Sequence, residues 1–536
     1  MTGQADVRMR VRDLRVKVTQ SGEEILKGVS FELKAGKVFA LVGESGSGKS
    51  VTSMATMRLL PEALAITAGA VDVAGQDLFD LSESRMQTVR GRRVAMIFQN
   101  AMTALNPVQV SGQQVAETLR LHTRLRGDAL RQRVVKLFAE VGIPDPEDRY
   151  SFYPHQLSGG QQQRVMIAMA LACEPEILIA DEPTTALDVT IQEQVLELIR
   201  ELTRSRQLAV LLITHDMGVV RNTADEVAVM YRGEIIERAP VEDFFHNLKE
   251  AYSKRLIDAL PDLTHFQSKA VEQPLLQLED VKVHFPIRRG VLQRVVDYTR
   301  AVDGVSLAIG RGETYALVGE SGSGKSTLGR AILNLDDIAG GQIRFKGEAI
   351  QSLPRGEMLP YRKKIQVIFQ NPFSSMNPRL TVGDIIAEGM VSLGLGLAAA
   401  EREERIGQLL QRVQLGPEFS QRYPHEFSGG QLQRIAIARA LSVEPELIIC
   451  DEPTSALDVS IRAEVLDLLQ ELQREFGVSY LFITHDLSIV PSLAHHVGVM
   501  QSGKIVEQGS AQQILTEPQH PYTRALLKSV PRIDRT

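Results

Sequence analysis

Short, nearly unbroken apolar runs alternate along this chain with longer stretches in which apolar residues recur every three or four positions. VFALVG (38–43), VAMIFQ (94–99), ILIADEP (177–183) and LAVLLITHD (208–216) have strand length and end in polar residues, the pattern of parallel strands buried on both faces. TIQEQVLELIRELTRSR (190–206) instead sets Val195, Ile199 and Leu202 at helical spacing. Strands alternating with amphipathic helices predict an α/β fold with a doubly wound parallel sheet, its ligand groups gathered at the carboxyl ends of the strands. VMYRGEIIERA (229–239) and VMQSGKIVEQG (499–509) read as hairpins turning at Arg232-Gly233 and Ser502-Gly503.

The pattern is written twice. LVGESGSGKS at 41–50 returns at 317–326, and DEPTTALDV at 181–189 is answered by DEPTSALDV at 451–459. The offset is 276 positions at Lys49 and Lys325, 271 at the two IFQN stretches, and 270 from DEP through His215 and His485 to Tyr252 and Tyr522. A tandem duplication with a few extra residues near the start of the second copy accounts for the drift. The expected organisation is one nucleotide-binding domain over 8–260, a linker over 261–275 and a second domain over 276–534. LTHFQSKAVEQP (263–274), at the join, lacks periodicity and ends in proline.

Composition narrows the function classes. With 43% hydrophobic and 24% charged residues, the 536-residue chain has ordinary globular usage, which excludes disorder and low complexity. A net charge of -6 argues against a main affinity for nucleic-acid backbones or anionic lipid. Two cysteines build neither a disulfide framework nor a four-thiolate cluster, so the chain is expected to be cytosolic. The charged start MTGQADVRMRVRDLRVKV has no apolar h-region, and no run approaches ~18 apolar residues, so any membrane role is expected to come through partners.

Several motifs carry chemistry. Gly43, Ser45, Gly46, Gly48, Lys49, Ser50 and Val51, and again Gly319, Ser321, Gly322, Gly324, Lys325, Ser326 and Thr327, lie in or beside G-x-x-x-x-G-K-[ST] between a strand and a helix. In such a loop backbone N–H groups close around phosphate oxygens, the lysine reaches the terminal phosphates and Ser50 or Ser326 ligates Mg²⁺. A glycine-rich turn that binds nothing does not account for two matches in the same context. Asp181-Glu182 and Asp451-Glu452 end strands beside the loop, where the aspartate can hold the Mg²⁺ shell and the glutamate can take a proton from an attacking water. An N-cap pair opening the next helix would account for DEPT alone, but its ordered placement after a phosphate loop disfavours that reading. His215 and His485 end strands and can hydrogen-bond a terminal phosphate; Gln99 and Gln370, also at strand ends, can reach metal and water.

Ser158, Gly159, Gly160 and Gln161, and likewise Ser428, Gly429, Gly430 and Gln431, each open a helix, giving each half a second anion-binding terminus. One nucleotide does not need two such loops from the same half. If the halves pair head to tail within the chain, each spare loop closes over the nucleotide of the other half.

Phosphate loop, strand-end Gln, SGGQ, DEP, A-L-D and strand-end His occur in this order in both halves, and the chain thereby resembles the ATP-binding subunits of ATP-binding cassette (ABC) transporters. The resemblance implies a nucleotide core, a small antiparallel β part and a helical part in each half, ATP and Mg²⁺ as ligands, and catalysis by Glu182 and Glu452 as bases. It places Gln99 and Gln370 where membrane subunits are contacted, and Asp188 and Asp458 in loops that cross the dimer interface. QNAMTALNP (99–107), QNPFSSMNP (370–378), YPHQLSGG, YPHEFSGG and HPYTRALL (520–527) resemble the oligopeptide, dipeptide and nickel importer group. Two fused halves with FPIRRGVLQRVVDYTR (285–300) are most similar to its Yej-type subunits, associated with peptide and microcin C uptake. This implies two transmembrane permease subunits, an external solute-binding protein reached indirectly, and peripheral attachment to the cytoplasmic face of the bacterial inner membrane, with no nucleic acid bound. Phe285 fits the family's adenine-stacking aromatic, whereas the first half offers Val18 there. Arg288, Arg289 and Arg294 mark the tip of a solvated hairpin or a contact with a membrane subunit or lipid headgroups.

Two other readings compete. A soluble twin-cassette ATPase of ribosomes or DNA usually has a long charged linker or inserted coiled coils and zinc modules. Here the join is about a dozen mostly uncharged residues, Gln99 to Ser158 spans 59 positions, Gln370 to Ser428 spans 58, and there is no CxxC. An exporter ATPase is opposed only by the importer-like motifs.

Overall fold

The computed structural model describes residues 6–99, 104–184, 189–258, 266–267, 274–289, 294–455 and 457–528. The chain divides into two compact units, the first ending at Asp258.

In the first unit the strands are β1 (Val7–Val18), β2 (Glu24–Lys34), β3 (Val38–Val42), β4 (Leu64–Val73), β5 (Gln76–Asp77), β6 (Val94–Ile97), β7 (Ile177–Asp181), β8 (Ala209–Thr214), β9 (Glu226–Tyr231) and β10 (Glu234–Pro240). A six-stranded sheet runs β10-β9-β3-β8-β7-β6, parallel except for β10 at its edge. Its three middle runs, β3, β8 and β7, are buried at every residue, which is why they read as unbroken apolar stretches. The second sheet, β2-β1-β4-β5, is antiparallel and shares an apolar core with one face of the first through Leu14, Phe31, Leu41, Ile179 and Leu211. Helices Ser111–His122, Gly127–Glu140 and Gly159–Leu171 pack Val115, Val134, Phe138 and Ile167 into a separate core on the other side. Helix Val189–Arg206 buries Val195 and Ile199 fully and Leu202 in part, the stripe its spacing predicts.

The second unit repeats this plan with β11 (Pro274–Arg289), β12 (Arg294–Gly310), β13 (Thr314–Val318), β14 (Gly340–Phe345), β15 (Glu348–Ala349), β16 (Ile365–Ile368), β17 (Leu447–Asp451), β18 (Ser479–Thr484), β19 (His496–Gln501) and β20 (Lys504–Ser510). Its sheets run β16-β17-β18-β13-β19-β20 and β12-β11-β14-β15. Both anticipated hairpins are present: Tyr231 pairs Glu234 and Gln501 pairs Lys504. The central residues Arg232-Gly233 and Ser502-Gly503 all have positive φ, between 48° and 88°, as a two-residue turn between twisted strands demands.

The boundaries differ slightly from those expected. β1 opens at Val7 and β11 at Pro274, inside the stretch expected as linker, because Leu275 and Leu276 already enter the core of the second unit. The added residues of the second copy lie in one place. Asp13 and Asp280 share a positive φ (44° and 49°), and their N–H groups donate to Ser30 and Ser306. The aspartates are 267 positions apart and the serines 276, so the β11–β12 hairpin is nine residues longer than the β1–β2 hairpin. The same offset of 267 makes Phe285 the counterpart of Val18 in the second copy.

Candidate nucleotide site in each unit

The first core strand of each unit ends in the glycine-rich loop. Gly43 has φ 151° and Gly319 157°, and a Cβ there would lie 2.2 Å from the Met230 or Met500 carbonyl oxygen of the adjacent strand. Only glycine lets the loop pass so close to that strand. Helices Lys49–Thr56 and Lys325–Ile332 begin directly after the left-handed Gly48 and Gly324. Lys49 Nζ donates to the carbonyls of Gly43 and Glu44, both at 2.8 Å, and Lys325 Nζ to those of Gly319 and Glu320 at 2.8 and 2.7 Å. Both lysines are buried, so each loop holds a cation inside its own ring.

Ser50 Oγ donates to Asp181 Oδ1 (3.1 Å) and Ser326 Oγ to Asp451 Oδ1 (2.8 Å). Burial pushes both aspartic acids up, against the opposing pull of these serine hydrogen bonds. A hydroxyl and a buried carboxylate converging in this way are hard oxygen donors of the kind Mg²⁺ takes, and a cation there would favour the ionised aspartate.

The order of parallel strands assembles the catalytic candidates. β6, β7 and β8 lie side by side, and Gln99, Glu182 and His215 follow their carboxyl ends. Glu182 Oε2 accepts from Gln99 Nε2 at 2.7 Å, and Glu182 Oε1 lies 3.1 Å from His215 Nδ1. In the second unit Gln370 Nε2 donates to Glu452 at 2.9 Å and His485 Nδ1 lies 3.2 Å away. Both glutamates sit at φ 47°, and their N–H groups donate to the Ile213 and Ile483 carbonyls of the neighbouring strand. A non-glycine residue in this region costs energy, here spent on turning the carboxylate between glutamine and histidine. Burial alone would raise the Glu452 carboxyl, but the His485 hydrogen bond and charge hold it below the usual range. Burial likewise opposes a proton on His485, and Glu452 overcomes it, so the imidazole is held above its ordinary value.

The SGGQ turns stand outside this hydrogen-bonded group. Each is a capping box: Ser158 Oγ accepts from Gln161 N while Gln161 Oε1 accepts from Ser158 N, and Ser428 and Gln431 do the same. Asp188 lies outside the described residues. Asp458 precedes helix Val459–Phe476, where its carbonyl accepts from Arg462 N. Phe285 is 38% exposed on β11. Two contacts had no signal in the sequence. The Tyr252 hydroxyl accepts from Glu44 N and the Tyr522 hydroxyl from Glu320 N, each at 3.1 Å.

A phosphate loop beside a serine–aspartate oxygen pair, with a glutamate held between glutamine and histidine, defines a P-loop nucleotide hydrolase. The family model described as ABC transporter matches residues 26–185 and 302–455, and the chain belongs to that family of ATP-binding, ATP-hydrolysing cassettes. A second model, described as the oligopeptide/dipeptide transporter C-terminal region, matches 236–280 and 506–536. The chain is 48% identical to the peptidoglycan transport ATP-binding protein YejF of Agrobacterium fabrum, over 98% of this chain and 97% of that protein. It is 46% identical to the glutathione import ATP-binding protein GsiA of Escherichia coli O157:H7, over 98% and 89%. Among solved structures, CbiO1 of Clostridium perfringens, part of the ABC transporter complex CbiONQ, is 30% identical over 46% of this chain and 92% of that one, with a TM-score of 0.40. No helix among the described residues is long and apolar enough to cross a membrane.

Proposed function

We propose that this ATPase is the energy-coupling subunit of a bacterial importer for peptides or peptide-like solutes. The observation that carries the reading is the oligopeptide/dipeptide transporter C-terminal match following each cassette. The names of the two relatives, a peptidoglycan transporter and a glutathione importer, support the same solute class.

In this reading each glycine loop takes the phosphates of one ATP with its N–H groups and its lysine. Glu182 or Glu452 accepts the proton of the attacking water, and the neighbouring histidine and glutamine hold that carboxylate toward it. Ser50 with Asp181, and Ser326 with Asp451, would hold Mg²⁺, with Gln99 or Gln370 nearby; the ion would supply charge neutralisation at the transferring phosphoryl group. The SGGQ turns, which cap their own helices, serve the nucleotide of the opposite unit: Ser428–Gln431 for the first site and Ser158–Gln161 for the second. ATP thus closes the two units as an intramolecular dimer, and hydrolysis, by removing the shared terminal phosphate, opens it. Two transmembrane permease subunits receive the motion near Gln99 and Gln370 at the cytoplasmic face of the inner membrane. The solute-binding protein outside is reached only through them.

Copurification tests the reading. The chain is expected to leave bacterial membranes with polytopic subunits, and recovery with ribosomes instead would overturn it. Spectroscopic labels on opposite units, beside Ser158 and Ser326 in a Glu182→Gln, Glu452→Gln background, should approach on adding ATP when the membrane partners are present. An unchanged separation would refute the closure.

A further inference from the structure

The C-terminal part of each unit returns to the phosphate loop at two points. At the tip of the β9–β10 hairpin Gly233 N donates to Ser47 O (3.0 Å), and Gly503 N donates to Ser323 O (2.9 Å) in the second unit. Beyond the hairpin, helices Ala251–Asp258 and Pro521–Lys528 carry Tyr252 and Tyr522. Each helix is strapped at its start by a carboxylate from the hairpin's second strand. Glu237 accepts from Lys249 N and Glu250 N at 2.9 and 3.2 Å, and Glu507 from Gln519 N and His520 N at 2.7 and 3.0 Å. Thus strapped, each helix delivers one tyrosine hydroxyl to the first N–H after the loop's leading glycine, Glu44 or Glu320, at 3.1 Å.

The tyrosine is placed rather than incidental. Tyr252 is buried, and its ring packs on Tyr231 of β9 with centroids 4.3 Å apart. Burial pushes its hydroxyl far up, so it stays protonated, and it also donates toward the Glu44 carboxylate. The second unit keeps Tyr522 although Tyr231 is replaced there by Gln501, so the hydroxyl, and not the aromatic pair, is what the two copies share.

We propose that Tyr252 and Tyr522 are positioning residues for ATP, with the C-terminal region of each unit bracing the phosphate loop in its receptive form. The N–H of Glu44 and the C=O of Gly43 belong to one planar peptide, as do those of Glu320 and Gly319, and these carbonyls accept from Lys49 and Lys325, so fixing the N–H fixes a carbonyl that seats the lysine ammonium. Without the hydroxyl, the loop spends part of its time in forms that do not take phosphates, and apparent affinity falls by that fraction. The inference rests on these loops being the ATP sites.

Tyr252→Phe removes the hydroxyl and keeps the ring. In the full-length chain carrying Lys325→Ala to silence the second site, titration with a fluorescent ATP analogue should show binding weakened about fivefold, the scale of one net hydrogen bond. With both lysines present, Tyr252→Phe combined with Tyr522→Phe should raise KM for ATP by a similar factor and leave kcat within about twofold, at an unchanged melting temperature. Unchanged affinity, or a loss that merely tracks a fall in melting temperature, would overturn the inference. A parent chain that binds no nucleotide would overturn instead the assignment of the loops on which it rests.

Discussion

At the scale of single residues, the proposed chemistry rests on two glutamates. Because Glu182 and Glu452 are each held by a glutamine and a histidine of their own unit, Glu→Gln at either is expected to lower turnover at that site by about 10²–10⁴, the range for a lost general base. Steady-state hydrolysis by the double variant checks this, and normal activity would remove both from the mechanism. Gly319→Ala tests the loop's backbone. A methyl 2.2 Å from the Met500 carbonyl forces one of them aside, so nucleotide binding at the second site should be lost, with about 1–3 kcal/mol of overpacking read by denaturant melting. The motif residues were legible in the sequence because their chemistry is local: glycines for a tight loop, an acid at a strand end. The tyrosine hydroxyls were not, since they meet their N–H partners across 208 and 202 positions and a tyrosine in an amphipathic helix looks like any core aromatic.

Among the elements, the long β11–β12 hairpin separates the two units most clearly. Its outer part exposes Val295, Val296 and Tyr298, and one register step inward it carries Phe285 where the shorter hairpin has Val18. If Phe285 stacks on adenine, Phe285→Ala should weaken nucleotide binding at the second site by ~1–3 kcal/mol, while Val18→Ala changes little at the first. Titration of variants with one site silenced distinguishes the two, and equal losses would deny the platform. Strand ends also carry charge clusters. Glu446, at the start of β17, meets Arg311, Lys346 and Lys364 at 3.1, 2.6 and 2.9 Å. Burial raises its carboxyl, but the lysine hydrogen bonds and charges outweigh that, so its folded value lies below the unfolded one. The resulting stabilisation is present above pH ~4.5 and is lost as pH falls through the depressed folded value. Glu446→Gln should flatten this acid limb of the melting curve, by about 1 kcal/mol after screening by water. An unaltered limb would show the cluster to be neutral for stability. Strands and helices were readable because buried parallel strands and amphipathic helices have distinct periods. The length of the second hairpin was legible only as an offset, because exposed ribbon residues follow no core.

For the whole chain, the duplication is a statement about energy as well as ancestry. Each unit closes its own apolar cores and its own hydrogen-bonded group of Ser, Asp, Glu, Gln and His, so the fold was readable from either half alone. What two copies are proposed to accomplish together was readable only as a surplus, one helix terminus too many for each nucleotide. If the units do close on ATP, their join makes the local concentration of one for the other independent of protein concentration. Hydrolysis rates per chain should then stay constant on dilution, and a fall in specific activity would indicate assembly between chains.

The phosphate loop also dates itself within synthesis. β3 lies between β8 and β9, and the loop's brace comes from Tyr252, so neither its sheet neighbours nor its brace exists when the ribosome has just made Lys49. The loop is written early and completed late. Its N–H ring reaches final form only after about 200 further residues have emerged, so a nascent chain stopped just short of Tyr252 has its glycines, its lysine and the neighbouring strands without the pin that holds Glu44 N. The first phosphate loop is thereby finished as its own unit ends, before the second glycine loop has been translated.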